Sequence, residues 1–263
     1  MEMDRRGWRV FAGVRSDAAG RRLQSQASSR LASLRLDVTD EQEIAAAAVL
    51  VRETVGDRGL AGLVNNAGIV IAGPLEILPL AELRKQFEVN VVGQIAVTQA
   101  LLPLLRAAKG RIVNMGSANG RFAPPYMGPY AASKHAMEAL SDALRLELRT
   151  WGIHVSLIEP GSIATPIWDK SLAAADDLQA AASPEAVAMY EADLDALRKA
   201  TRKLAAGAIP VRKVALAVAH ALTAARPKPR YPVGFDTQVA FRLHKWLPDR
   251  LWDQFIKKQL GLP

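Results

Sequence analysis

Tyr130 and Lys134 stand four residues apart in the run Tyr130-Ala131-Ala132-Ser133-Lys134. On a helix, positions i and i+4 share a face, so a phenol and an ammonium there point the same way. A free tyrosine ionises near pH ~10 and is a poor base at neutral pH. A neighbouring ammonium favours the phenolate and pulls that value toward the working range, which suits the pair to general acid/base work. Alone the pair is weak, because a surface tyrosine beside a surface lysine reads the same way. Ser117 precedes Tyr130 by 13 residues. Its hydroxyl could polarise a carbonyl while the tyrosine donates a proton. Asn90 lies in Phe87-Glu88-Val89-Asn90-Val91-Val92, where a buried amide is costly unless its hydrogen bonds are met. Taken singly, Asn90 reads as a core hydrogen-bonder.

These side chains need elements to hold them. Short β-branched runs alternate with longer runs rich in alanine and leucine. The pattern predicts strands over residues 8–15, 31–36, 60–64, 111–115, 153–158 and 230–233. Helices are expected over 41–55 behind a Thr39-Asp40 cap, over 80–108 with Pro103 as a kink, and over 129–151, 183–206 and 211–225. Continuous apolar strands with helices between them imply a doubly wound parallel α/β sheet covered on both faces. Ser117 then falls at the C-terminal end of a parallel strand, the edge where such sheets bind ligands. One domain is expected over residues 1–235, with a substrate lid at about 162–206. The amphipathic tail 236–263 is the one segment of different character.

Add Asn65-Asn66-Ala67-Gly68 after the third of these strands and Pro160-Gly161-Ser162-Ile163-Ala164-Thr165 after the fifth. In order and spacing, residues 8–166 then resemble the short-chain dehydrogenase/reductase family in its single-domain branch. The resemblance implies a role for each matching residue. Tyr130 is the general acid/base, Lys134 lowers its pKa and holds the nicotinamide ribose, Ser117 orients the carbonyl, and Asn90 keeps a water that links Lys134 to solvent. Asn66, Ala67 and Gly68 lie along the adenosine and its ribose, and Asp37 meets the adenine edge. Pro160, Gly161, Ile163 and Thr165 line the nicotinamide end. The hydride comes from the cofactor. At the end of the first strand, Arg15 stands where NAD enzymes of the family usually carry an acid, so NADP(H) is favoured over NAD(H). Phe122, Pro124, Pro125, Tyr126, Met127, Ile167 and Trp168 give the substrate wall an apolar character, like that of the hydroxysteroid, retinol and 3-hydroxybutyrate dehydrogenase cluster. A small lipophilic alcohol or ketone is the expected substrate.

The resemblance also implies an opening strand and a Thr-Gly-x-x-x-Gly-x-Gly loop, and no such run occurs in the 263 residues. Residues 1–7 read instead as the last turns of the helix behind that loop. An N-terminally truncated chain is therefore expected, with a gap in the sheet between 8–15 and 60–64. The competing reading is a degenerate, non-catalytic pseudoenzyme serving as a partner subunit.

Composition narrows the rest. There are no cysteines, which excludes disulfides, thiolate metal sites and cysteine nucleophiles, and no metal is expected. Lys and Arg number 34 against 26 acids, a net charge of +8. The bases are dispersed, which reads as a solvated surface, and nucleic acid is not expected as a partner. No signal-like h-region opens the chain and no uninterrupted apolar run reaches the ~18–20 residues of a membrane span, so a cytoplasmic protein is expected; a homo-oligomer is expected as well. The tail mixes Trp246, Leu247, Leu251, Trp252, Phe255 and Ile256 with bases. It could lie on a membrane surface, or pack on its own domain or on a dimer partner.

Overall fold

Strand–helix alternation begins almost at once. The computed structural model describes residues 1–262. After a one-turn helix α1 (Glu2–Arg5) come β1 (Val10–Val14), α2 (Asp17–Gln24), β2 (Leu31–Arg35) and α3 (Glu41–Val55). Next are β3 (Gly62–Asn65), α4 (Leu80–Phe87), a π-helical turn at Glu88–Val92, α5 (Gly93–Ala108), β4 (Arg111–Met115) and α6 (Gly128–Glu147). The chain continues through β5 (His154–Pro160), α7 (Ile167–Ala181), α8 (Pro184–Ala188), α9 (Glu191–Ala206) and α10 (Val211–Thr223). It finishes with β6 (Arg230–Val233), α11 (Phe235–Trp246) and α12 (Asp249–Leu260).

Helix α3 starts where its cap places it: the Asp40 carboxylate accepts from the backbone N–H groups of Gln42 and Glu43, satisfying two of the donors a helix start leaves open. Two helices escape the sequence pattern, α2 and α7. The first is short, and its start is marked only by Ser16, whose side chain accepts from Ala19 N. The expected helix 80–108 is broken at Glu88–Val92 and not at Pro103, which sits inside α5. By length and composition the Leu80–Ala108 run could cross a membrane. In this fold it carries the buried polar side chains of Gln86, Asn90, Gln94 and Thr98, and α5 lies against β3.

All strand pairs are parallel, and helices flank them, a Rossmann-like α/β architecture. The strands form two sheets, β1-β2 and β3-β4-β5-β6, and among the described residues no ladder joins them. The break falls between the strands where the sequence reading puts a gap. β1 does not re-pair with β3. Val64 on β3 is accordingly 37% exposed, and no residue of β1 is fully buried. β4 and β5 are covered on both faces, with Ile112, Val113 and Ile158 at 0% exposure. Packing, without backbone pairing, holds the small sheet: Leu34 of β2 joins Val51 of α3 and Leu104 of α5, with Phe11, Leu36 and Leu60 against them.

The tail folds as two helices that return to the domain. Trp252 is buried, its ring 5.1 Å from that of Phe122. Phe235 and Trp246 stay exposed. The lid segment α7–α9 is pinned by the Tyr126 hydroxyl, which donates to Asp193, and by the Tyr190 hydroxyl, which donates to Glu76.

Candidate active site

The C-terminal end of β4 delivers Met115 and, one residue past Gly116, Ser117. Ser117 caps the 3-10 turn Ala118–Gly120 by accepting from Asn119 N at 3.2 Å. Helix α6 starts with Gly128 and Pro129, a proline position that costs no hydrogen bond. Its first two turns present Tyr130 and Lys134 on one side. Lys134 is 4% exposed, and its Nζ donates to Met115 O at 2.8 Å. That bond ties the helix to the strand end below it. Nζ lies 5.7 Å from the centre of the Tyr130 ring.

Burial dominates the ionisation of both groups. It lowers Lys134 to about 8, because a buried ammonium loses its hydration. It raises the Tyr130 phenol above its ordinary value, and the hydrogen bond with the Ser117 side chain pulls the other way. The expected lowering of Tyr130 by Lys134 is therefore not what the structure shows: the ammonium donates to Met115 O, and burial raises the phenol.

Asn90 is fully buried in the π-helical turn. Its Oδ1 accepts from Ile69 N at 2.8 Å, and its Nδ2 donates to Ile69 O at 3.0 Å and to Ser133 Oγ at 3.1 Å. Ser133 Oγ in turn donates to Tyr130 O at 2.7 Å. Asn90 thus braces the start of α6 and the loop after Gly68. At Gly68 an added Cβ would stand 3.5 Å from Asn90 Oδ1 and 3.9 Å from Lys134 Nζ, so the backbone there forms the wall beside the lysine. Ala67 O accepts from Gln94 Nε2 at 2.7 Å, and Asn66 is exposed.

Pro160 closes β5 opposite Val233 of β6. Gly161 N donates to Val233 O at 3.1 Å. Ile163 is buried and bridges to Ile209, while its carbonyl accepts from the Trp168 indole N–H at 2.7 Å. Thr165 is half-buried at the head of the lid. Arg15 and Asp37 belong to the other sheet, just past the ends of β1 and β2, and not to the Ser117–Tyr130–Lys134 cluster. Asp37 Oδ1 accepts from Thr39 N and Oγ1. Those two bonds hold its carboxyl below the usual range, and the charge of Arg15 adds to the effect. Arg15 itself is exposed.

Sequence reasoning found Asn90 but passed over its neighbours in support of this site, Gln86, Gln94 and Thr98. With Asn90 they recur every fourth residue, and all are buried. Gln86 accepts from Ile71 N at 2.7 Å and donates to Ile69 O at 2.9 Å. Thr98 accepts from Asn65 Nδ2 at 2.8 Å, and Asn65 also donates to Asn114 at 2.9 Å. The four-residue polar spacing was the available signal.

Comparison with known proteins agrees with this geometry. The short chain dehydrogenase family model matches residues 1–176. The chain is 38% identical to retinol dehydrogenase 5 of Mus musculus, an alignment spanning all of this chain and 84% of that protein. It is 36% identical to the NADPH-dependent 3-dehydrocapnine reductase of Ornithobacterium rhinotracheale, over 97% of this chain and 89% of that one. Among solved structures, a short-chain dehydrogenase from Streptomyces avermitilis superposes with a TM-score of 0.75 at 26% identity, over 98% of this chain and 89% of the other. The chain belongs to the short-chain dehydrogenase family.

Proposed function

We propose that this short-chain alcohol dehydrogenase interconverts a lipophilic secondary alcohol with its ketone, or an alcohol with its aldehyde, using NADP(H) and a Ser117–Tyr130–Lys134 proton relay. One observation carries the reading: the Tyr130 phenol, hydrogen-bonded to Ser117, stands beside a buried lysine at the ligand-binding edge of β4. In the reductive direction the Ser117 hydroxyl donates to the carbonyl oxygen and Tyr130 gives it the proton. A phenol kept protonated by burial suits that step. Lys134 holds one of its three donors on Met115 O, which leaves the others for the ribose hydroxyls and for stabilising the phenolate once the proton has moved. Asn90 fixes the Ser133 turn from which both side chains project.

The residues fit the two ends of a nicotinamide dinucleotide. Gly68, Lys134 and Pro160–Thr165 suit the nicotinamide half, and Arg15 beside Asp37 suits the adenosine with its 2′-phosphate. The Thr-Gly-x-x-x-Gly-x-Gly run that would cradle the pyrophosphate between them does not occur in the sequence. When bound, the cofactor supplies the hydride. Similarity to an NADPH-dependent reductase and to a structure solved with NADP supports Arg15 as the reader of the phosphate. Likeness to a retinol dehydrogenase and to 17-beta-hydroxysteroid dehydrogenase type 6 of Bos taurus supports a lipophilic substrate against Phe122, Tyr126 and Trp168.

The test is turnover of retinol and of a 17β-hydroxysteroid at millimolar cofactor, in the wild type and in Tyr130→Phe. Loss of the phenolic proton should cut kcat by ~10²–10⁴-fold and leave NADPH affinity nearly unchanged. A variant within a few-fold of wild type removes Tyr130 from the chemistry. The break between the two sheets favours a second reading, a non-catalytic partner subunit. Wild type that neither binds NADPH nor turns over either probe would select it.

A further inference from the structure

Arg121 sits at the far end of the turn that Ser117 opens. Gly120 N donates to Ser117 O at 3.0 Å and Arg121 N to Ala118 O at 3.0 Å, so the position of Arg121 and that of Ser117 are linked through one tight loop. Arg121 Nε donates to Glu159 Oε1 at 2.7 Å and stands 3.6 Å from Glu138 Oε1. Glu159, next to last on β5, is 1% exposed, and Glu138 lies one helical turn past Lys134. The turn is seated directly on α6: a Cβ at Gly120 would meet Glu138 Cγ at 3.2 Å. On its other side the guanidinium covers the Phe241 ring of α11 at 5.3 Å, and Phe122 packs on Trp252 of α12.

We propose that Arg121, gripped between Glu159 and Glu138, is the positioning residue that sets the Ser117 hydroxyl and fastens the α11–α12 tail beside it. These three residues act through the turn, without a place among the reacting groups. Glu138 Oε2 accepts from Arg230 Nε at 2.9 Å, Arg230 Nη2 donates to Asp142 Oδ2 at 2.6 Å, and Asp142 Oδ1 accepts from Arg145 Nη2 at 3.1 Å. His244 of α11 faces Phe122 at 5.9 Å. Within this group Glu138 Oε1 is buried without a hydrogen-bond partner. Burial and the neighbouring Glu138 push Glu159 up to about 7. A proton on Glu159 could be donated to that orphan oxygen, at the expense of the ion pair with Arg121. The grip is therefore full when Glu159 is ionised and slackens as pH falls through neutrality.

Amide hydrogen exchange at residues 117–123, corrected for the intrinsic rate, tests this directly in the full chain. Wild type should be several-fold better protected at pH 8 than at pH 6. Glu159→Gln should remove that pH dependence. Arg121→Gln should lose about tenfold protection at pH 8, and Arg121→Lys should recover part of it. The expected kinetic companion, which rests on the proposed oxidoreductase activity, is a fall in kcat for retinol in Arg121→Gln with little change in KM for NADP. Should the wild type prove inactive, the exchange arm still decides. Unchanged protection at 117–123 in Arg121→Gln, or a loss spread equally over β4 and α6, overturns the proposal.

Discussion

Lys134 is charged in a place that disfavours charge. Its pKa of about 8 lies below the ordinary 10.5, and the shift corresponds to a penalty on the order of 3 kcal/mol for the buried ammonium. The sign follows from linkage. Below pH 8 the lysine is protonated in both folded and unfolded chains, so the penalty is fully present. Between 8 and 10.5 the folded state sheds the proton first, and stability rises with pH. Lys134→Met should therefore be more stable than wild type at pH 7, by about 2 kcal/mol once ~1 kcal/mol for the lost bond to Met115 O is subtracted. The gain should shrink toward pH 10 in urea titrations. Equal stability at pH 7 would show that the site hydrates its lysine. Arg15 poses the opposite case, an exposed charge that packing does not need. Arg15→Asp replaces a phosphate partner with a carboxylate that repels it, so the preference for NADPH over NADH should move by ~1–3 kcal/mol in calorimetric titrations. An unmoved preference would make Arg15 a plain strand end.

Between residue and fold stands the stretch from Gln86 to Thr98, whose polar side chains hold the chain after β3. The Asn90 side chain reached this site from the sequence because its surroundings were apolar; Gln86 and Gln94 did not, although they repeat at the same spacing. The reason is that a glutamine in a helix is ordinary, and only tertiary contact shows it to be buried. Gln86→Leu should cost ~1–3 kcal/mol, since it leaves Ile71 N without its acceptor in a dry interior. Denaturation within ~0.5 kcal/mol of wild type would mean that water replaces the amide. The same logic sorts what else was legible. Glu41–Val55 was readable to the residue because its cap, an aspartate, is a local signal. Helices α2 and α7 were not. The first has a short, polar sequence, and the second gains its order from the lid contacts of Trp168 and from α9. The Tyr130–Lys134 pair was legible as spacing, but the direction of the phenol's pKa was not. That depends on burial and on where the ammonium points.

At the scale of the whole molecule, the interrupted sheet is the feature with the largest mechanical consequence. Parallel sheets owe their stability to strands covered on both faces and paired on both edges. β4 and β5 meet both conditions. β1 meets neither, with one ladder partner and no fully buried residue. A strand edge without a partner leaves N–H and C=O groups to water, and side-chain packing, the Leu34–Val51–Leu104 cluster with Leu36 and Val38 on the main core, ties the small sheet to the rest. Stability should therefore be uneven. Native-state hydrogen exchange should find the β1–β2 amides opening at least ~2–3 kcal/mol more easily than those of β4 and β5. The 263-residue chain should also bind NADPH more weakly than micromolar, because the small sheet that carries Arg15 and Asp37 is free to shift against the one that carries Lys134. The two measurements belong together. If saturating NADPH raises β1–β2 protection while leaving β4–β5 unchanged, the cofactor is spanning the break and drawing the sheets into register. Equal protection in both sheets without ligand, together with micromolar binding, would show that side-chain packing alone holds the crevice rigid.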